Sequence, residues 1–96
     1  AAILFGEAHD LIPNEPAYIE NQARAYMFGK NYLESIKLFK KLVERYNEDS
    51  GQSEYYMGAM YSVLGQKDQS CQALRLAVQK GYNPAKSLFE VTCLIN

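Results

Sequence analysis

Apolar and small residues recur at helical spacing along this chain, in segments separated by polar turns. Between Ala17 and Phe28 they return every three or four residues with polar residues between them, which is typical of an amphipathic helix. The recurring residues are Ile19, Ala23, Tyr26 and Met27. Pro16 suits the first turn of this helix, and Gly29 begins the tight turn that ends it. The pattern therefore predicts a helix that packs by one face.

A second helix is predicted from Tyr32, with one apolar face and one charged face. The inward positions are Tyr32, Ser35, Ile36, Phe39, Leu42, Val43 and Tyr46. The charged positions are Glu34, Lys37, Lys40, Lys41, Glu44 and Arg45. Because Glu34 and Lys37 stand at helix-neighbour spacing, we expect them to pair on a face that points to solvent.

After the polar connector at 47–51 the same order of elements begins again. A third helix is predicted from Gln52 or Ser53, ending at Gly65 as a left-handed cap. Its apolar stripe is Tyr56, Met57, Met60, Tyr61 and Leu64. A fourth begins near Asp68 as N-cap and buries Cys71, Leu74, Ala77 and Val78. A closing helix over 85–95 is predicted to carry Leu88, Val91 and Ile95 on one side.

The two halves of this pattern are copies of each other at a distance of 35 residues. That shift places Ala23 on Gly58, Tyr26 on Tyr61, Ser35 on Ser70 and Phe39 on Leu74. A period of about 20 to 50 residues is typical of stacked repeats, since each unit needs a neighbour to bury its apolar face. The self-similarity thus favours an all-α array that presents a surface.

The repeated residues resemble the tetratricopeptide repeat, a unit of about 34 residues. Met57-Gly58-Ala59-Met60-Tyr61 is similar to the L-G-x2-Y part of its consensus. The A-x3-F pair corresponds to Ser35 with Phe39 and to Ser70 with Leu74, and at the start of the chain to Ala1 with Phe5. The consensus tryptophan position is a departure, since Ile19 and Glu54 stand there.

The resemblance implies a right-handed α–α superhelix, a solenoid of about six antiparallel helices in one domain over 1–96. Its parts would be a half repeat at 1–15, full repeats at 16–50 and 51–84, and a closing helix at 85–96. Ala23 and Gly58 would be small because the helices of one unit approach closely there. Ser35, Ser70 and Ala77 would be small where one unit packs on the next. The apolar half-units at the two ends would favour self-association.

Members of this family bind a peptide or a partner helix in a concave groove formed by the first helices of successive units. If this chain has the same groove, the resemblance implies that it is lined by Ala17, Glu20, Arg24, Met27, Phe28, Gln52, Tyr55, Ala59, Ser62, Lys86, Phe89 and Cys93. The resemblance thus predicts a protein-binding module. The alternatives are a structural or oligomerisation spacer with no groove ligand, or a type III secretion-like chaperone. A clamp for a chaperone C-terminal carboxylate is disfavoured, because only Lys86 supplies a suitable cation.

Composition and charge exclude several other classes of function. The net charge of −1 without a block of like charges disfavours nucleic acid, and no apolar run is long enough to span a membrane. We find no catalytic constellation and no cofactor motif, so an enzyme is not predicted. Cys71, Cys93 and His9 lack metal-ligand spacing. We therefore expect two buried or half-buried cysteines, whose redox state the sequence leaves open, and from the sparse cysteines a cytoplasmic location.

Overall fold

The computed structural model describes residues 15–94, which form helices joined by short turns with no strand among them. The helices are α1 Glu15–Phe28, α2 Tyr32–Tyr46, α3 Gln52–Val63, α4 Lys67–Gln79 and α5 Pro84–Phe89, followed directly by a π-helix, Glu90–Leu94. The predicted all-α class is confirmed for this part of the chain. The half repeat predicted over 1–15 lies almost wholly outside the described residues, as does Ile95 of the predicted closing helix.

Two helix hairpins make up most of the described structure. The first hairpin packs α1 on α2 and the second packs α3 on α4, while α2 against α3 and α4 against α5 join the pieces into one elongated body of 48 × 25 × 18 Å. Most of the buried apolar side chains form one cluster from both hairpins: Ile19, Ala23, Ile36, Phe39, Leu42, Met57, Met60 and Ala73. A second, smaller cluster of Leu74, Ala77 and Ala85 ties α5 to α4. The predicted inward face of α2 is confirmed.

The hairpin turns repeat the same backbone hydrogen bonds at the 35-residue period. Lys30 donates to the Met27 carbonyl at 3.0 Å, and Gly65 donates to the Ser62 carbonyl at 3.1 Å. Both donors lie in the left-handed region, with φ of 64° and 78°, and this geometry pairs the last carbonyls of a helix. The predicted left-handed cap at Gly65 is confirmed. In the first unit the left-handed residue is Lys30 rather than Gly29.

Inside each hairpin a buried serine bonds the neighbouring helix. The Ser35 hydroxyl donates to the Ala23 carbonyl at 2.6 Å, and the Ser70 hydroxyl donates to the Gly58 carbonyl at 2.7 Å. These serines therefore lie at the contact within a unit, and the prediction that they pack one unit on the next is wrong. A larger residue would displace the backbone that each hydroxyl reaches, which explains why both positions are small.

Gly58 lies at the close approach that the sequence predicts. A Cβ atom there would stand 2.6 Å from Cγ of Leu74 and 2.7 Å from its Cδ2, about 1 Å inside ordinary contact between carbon atoms. The buried Leu74 side chain occupies the space that any larger residue would need. The close-approach prediction is confirmed.

The fourth helix and the closing helix differ from their predictions. Helix α4 begins at Lys67 with Gln66 as its N-cap residue, so Asp68 lies inside the first turn and is not the cap. The closing segment changes from an α-helix to a π-helix after Phe89. The wider π turn spaces the backbone hydrogen bonds five residues apart instead of four, which rotates the later side chains around the helix axis. As a result Leu88 and Cys93 pack on the smaller cluster, and Val91 is exposed.

Candidate partner-binding groove

The predicted groove residues lie on the first helices of the hairpins and on the closing segment. Helix α1 carries Ala17, Glu20, Arg24, Met27 and Phe28; helix α3 carries Gln52, Tyr55, Ala59 and Ser62; α5 carries Lys86 and Phe89, and the π-helix carries Cys93. Each of these side chains is exposed or half-buried. None of them is fully buried.

Arg24 connects the first helices of the two hairpins. Its Nη2 donates to the Tyr56 hydroxyl at 2.9 Å, and its guanidinium carbon lies 5.5 Å from the centre of the Tyr56 ring. The hydrogen bond to Tyr56 is the main cause that raises the pKa of Arg24, and the neighbouring Glu20 carboxylate adds to it. Glu20 Oε2 lies 3.8 Å from Nη1. The guanidinium is thus a fixed cation on the surface between α1 and α3.

Aromatic rings continue from this cation toward the closing segment. The Tyr56 ring lies 5.6 Å from the ring of Tyr55, which lies 5.2 Å from the ring of Tyr82 in the turn after α4. These separations and tilts are typical of favourable aromatic pairs. We call Arg24, Tyr56, Tyr55 and Tyr82 the aromatic row. It crosses α1, α3 and the turn before α5.

Sequence reasoning missed two members of the aromatic row. Tyr56 was predicted as a core residue of the third helix, and one side of its ring does contact Phe39, 5.4 Å away between centroids. Tyr82 lies between the predicted fourth helix and the predicted closing helix, and it was assigned to neither. The one feature of the sequence that could have indicated its role is an aromatic residue inside a polar turn. No local pattern connects Tyr82 with Tyr55, because Tyr55 lies 27 positions earlier.

Other predicted groove residues do not join the row. Phe28 is 76 % exposed at the end of α1, whereas Met27 packs on the larger cluster and Phe89 on the smaller one. Cys93 forms a disulfide with Cys71 of α4, with the two Cα atoms 5.7 Å apart. The redox state of the two cysteines, which the sequence left open, is thus a disulfide in the structure. The disulfide fixes the closing segment on α4.

The consensus tryptophan position of the second unit is occupied by a buried ion pair. Glu54 is 2 % exposed, and its Oε2 lies 2.5 Å from Nζ of Lys80. The ammonium also donates to the backbone carbonyl of Glu48 at 3.1 Å. Lys80 thus ties the end of α4 to the start of α3. The sequence showed Glu54 as a departure from the repeat pattern but gave no indication of its partner.

Glu48 caps the beginning of α3. Its carboxylate accepts the backbone N–H of Ser50 at 2.6 Å and that of Ser53 at 3.1 Å. Burial raises the pKa of Glu48, but the hydrogen bonds from Ser50 and Ser53 outweigh it and hold the pKa below its ordinary value. A carboxylate at a helix N-terminus is also favoured by the helix dipole. Glu48 is therefore a structural support for the helix that carries Tyr55.

Two further observations concern metal ligands and membrane spans among the described residues. Within 15–94 no three His, Cys, Asp or Glu side chains are grouped so that they could hold a metal ion, and His9 lies outside this range. A membrane-crossing helix, which needs a long apolar stretch, is also absent from the described part.

The chain has no match among protein-family models, curated proteins or solved structures.

Proposed function

We propose that the chain is a tetratricopeptide-type repeat module that binds an extended peptide or a partner helix across α1, α3 and α5. The main support is the repetition of one hairpin at a 35-residue period, with the same buried serine bond and the same turn in each copy. Repeat arrays of this kind stack their units and use the extended surface that results. The proposed superhelix continues the order of hairpins seen in α1 to α4.

The chemistry of the aromatic row supports binding of another polypeptide. Tyrosine and arginine are enriched among the residues that dominate protein interfaces. Arg24 is held in place by Tyr56, so little side-chain entropy would be lost when a partner binds. Phe28 adds an exposed apolar anchor at the end of α1.

An oligomerisation segment remains a second candidate, supported by a separate observation. Val91 and Leu94 of the π-helix are 64 % and 66 % exposed, which forms an apolar surface at one end of the described structure. In this alternative the π-helix makes the contact and the aromatic row has no ligand. Replacing Val91 and Leu94 with Lys should then lower the sedimentation coefficient, and no peptide should bind the aromatic row.

The sequence predicted a cytoplasmic location from the small number of cysteines. The Cys71–Cys93 disulfide removes this support, because disulfides persist mainly in oxidising compartments. An oxidising compartment is therefore proposed in its place. Mass spectrometry of the natural protein after alkylation under non-reducing conditions would distinguish the two, since free thiols would indicate the cytoplasm.

Selection from a displayed library of random peptides tests the groove proposal. Peptides that bind the immobilised chain should lose affinity by about 5- to 150-fold for Arg24→Ala or Phe28→Ala, the range of 1 to 3 kcal/mol found for interface anchors. The matched control is Lys37→Ala with Lys41→Ala on α2, which should bind as the parent does. Circular dichroism confirms that each variant is folded. Loss of binding only in the lysine pair would move the site to the charged face of α2.

A further inference from the structure

A second cleft lies on another side of α3 from the predicted groove. It encloses about 280 Å³ between α2, α3 and α4, and none of the predicted groove residues lines it. Its lining combines apolar residues, among them Met57, Ala73 and Leu76, with polar ones that include Lys40, Glu44 and Gln72. The cleft also contains the side chain of the buried Glu54. A cleft that combines apolar walls with a few convergent polar groups is a typical small-ligand site.

One oxygen of Glu54 has no hydrogen-bond partner within the described structure. Its Oε2 is bonded to Lys80, whereas the buried Oε1 accepts nothing from residues 15–94. The Lys80 ammonium already donates hydrogen bonds to Oε2 of Glu54 and to the Glu48 carbonyl. An unsatisfied buried acceptor costs about 1 to 3 kcal/mol, and more when it is charged. A donor that enters the cleft would recover this free energy.

We propose that the cleft binds a protonated primary amine on an aliphatic stem, with the ammonium on Oε1 of Glu54. The stem would lie along Met57, Ala73 and Leu76. A carboxylate oxygen only accepts hydrogen bonds, and bonds from a cation are about twice as strong as neutral ones. A guanidinium needs two acceptors side by side for its planar fork, and only one oxygen of Glu54 is free. An ammonium therefore fits better.

The same chemistry is supplied by a small alkylamine or by a lysine side chain of another protein. Leu76 is 48 % exposed, so the apolar wall reaches solvent and a stem can enter from outside. The proposal does not depend on the aromatic row, because the cleft shares no residue with it. A negative result for the cleft would therefore leave the proposed binding of a polypeptide at the aromatic row unaffected, and the reverse also holds.

Titration with n-butylammonium chloride, followed by amide chemical shifts, tests the proposal. We expect saturable shifts at Met57, Ala73 and Leu76, with sodium chloride as the ionic-strength control. Sodium pentanoate has a stem of similar length with the opposite charge, and it should produce no such shifts. n-Butanol, a neutral donor, should bind at least ten-fold more weakly.

Two variants and a control identify the residues responsible. Glu54→Gln removes the charge and should weaken butylammonium binding at least ten-fold. Gln72→Trp blocks the cleft from an exposed position on α4, so it tests the site even if Glu54→Gln fails to fold. Glu34→Gln removes a carboxylate from the charged face of α2 and should bind as the parent does.

The outcomes separate the two sources of the amine. If the chain binds both butylammonium and N-acetyl-lysine methylamide, the natural ligand is a lysine side chain of another protein. If it binds butylammonium but not the lysine derivative, the natural ligand is a small amine. The proposal is overturned if butylammonium gives no saturable shift or if pentanoate gives the same shifts. It is also overturned if the Gln72→Trp variant binds butylammonium as the parent does.

Discussion

Replacing Gly58 with Ala tests the contact that sets the spacing of α3 and α4. The added Cβ would stand 2.6 Å from Cγ of Leu74 and 3.3 Å from the backbone carbonyl of Ser70. Leu74 is buried and belongs to the cluster that also holds Ala77 and Ala85. Because the Leu74 side chain is fully buried, we expect its neighbours to hold it in place and the two helices to separate instead.

Two effects of opposite sign determine the result. Alanine is the better helix former, which favours the variant by about 1 kcal/mol. Overpacking of a well-packed contact costs about 1 to 3 kcal/mol. Separation of the helices would also lengthen the 2.7 Å bond from Ser70 to the Gly58 carbonyl, a bond worth about 1 kcal/mol. We expect Gly58→Ala to lose about 1 kcal/mol of unfolding free energy, and the larger Gly58→Leu to lose more.

Urea unfolding followed by circular dichroism measures this loss. The matched control is Ser62→Ala, an exposed position on the same helix, which should be neutral or slightly stabilising. In a Leu74→Ala background the clash is gone, so Gly58→Ala should there be stabilising. A Gly58→Ala protein more stable than the parent would refute the close-approach argument.

Three further predictions concern the serine bonds, the disulfide and the cap of α3. Ser35→Ala and Ser70→Ala should each lower the unfolding free energy by about 1 kcal/mol in urea titrations, and by similar amounts, because the two bonds have the same geometry. Reduction of the disulfide, or its removal by Cys93→Ala with Cys71→Ala, should cost about 3 kcal/mol and release the closing segment first in amide exchange. The stability from the lowered pKa of Glu48 is present above the ordinary pKa and disappears as the pH falls through the lowered value. Glu48→Gln should therefore flatten the acid limb of a stability–pH profile.

The hairpins were predictable because local patterns determine them. The apolar period places the inward face of α2, and polar connectors and glycines mark the ends of the helices. The repeat period also related Ala23 to Gly58 and so predicted that the helices of each hairpin approach closely at these positions. It could not say which neighbour Ser35 and Ser70 contact, because a small residue fits equally well within a unit or between two units.

The features that were missed depend on pairs distant in sequence. Lys80 lies 26 positions after Glu54, and Cys93 lies 22 positions after Cys71. No periodicity in either segment indicates such a partner. The π turn after Phe89 also has no simple sequence signal, and its change of period moved Val91 from the packed side to solvent. Of the aromatic row, only Arg24 and Tyr55 were predicted as groove residues. Tyr82 was missed because it lies in a turn far from Tyr55 in the sequence.

The central claim is that the surface across α1 and α3 receives a polypeptide. The most direct test is the map of amide chemical shifts on the isotope-labelled chain when a peptide selected from a random library is added. The account predicts saturable shifts centred on Arg24, Tyr55 and Tyr82, with the amides of Lys37 and Lys41 unmoved. Shifts centred on those two lysines, or no enriched peptide that binds saturably, would contradict it.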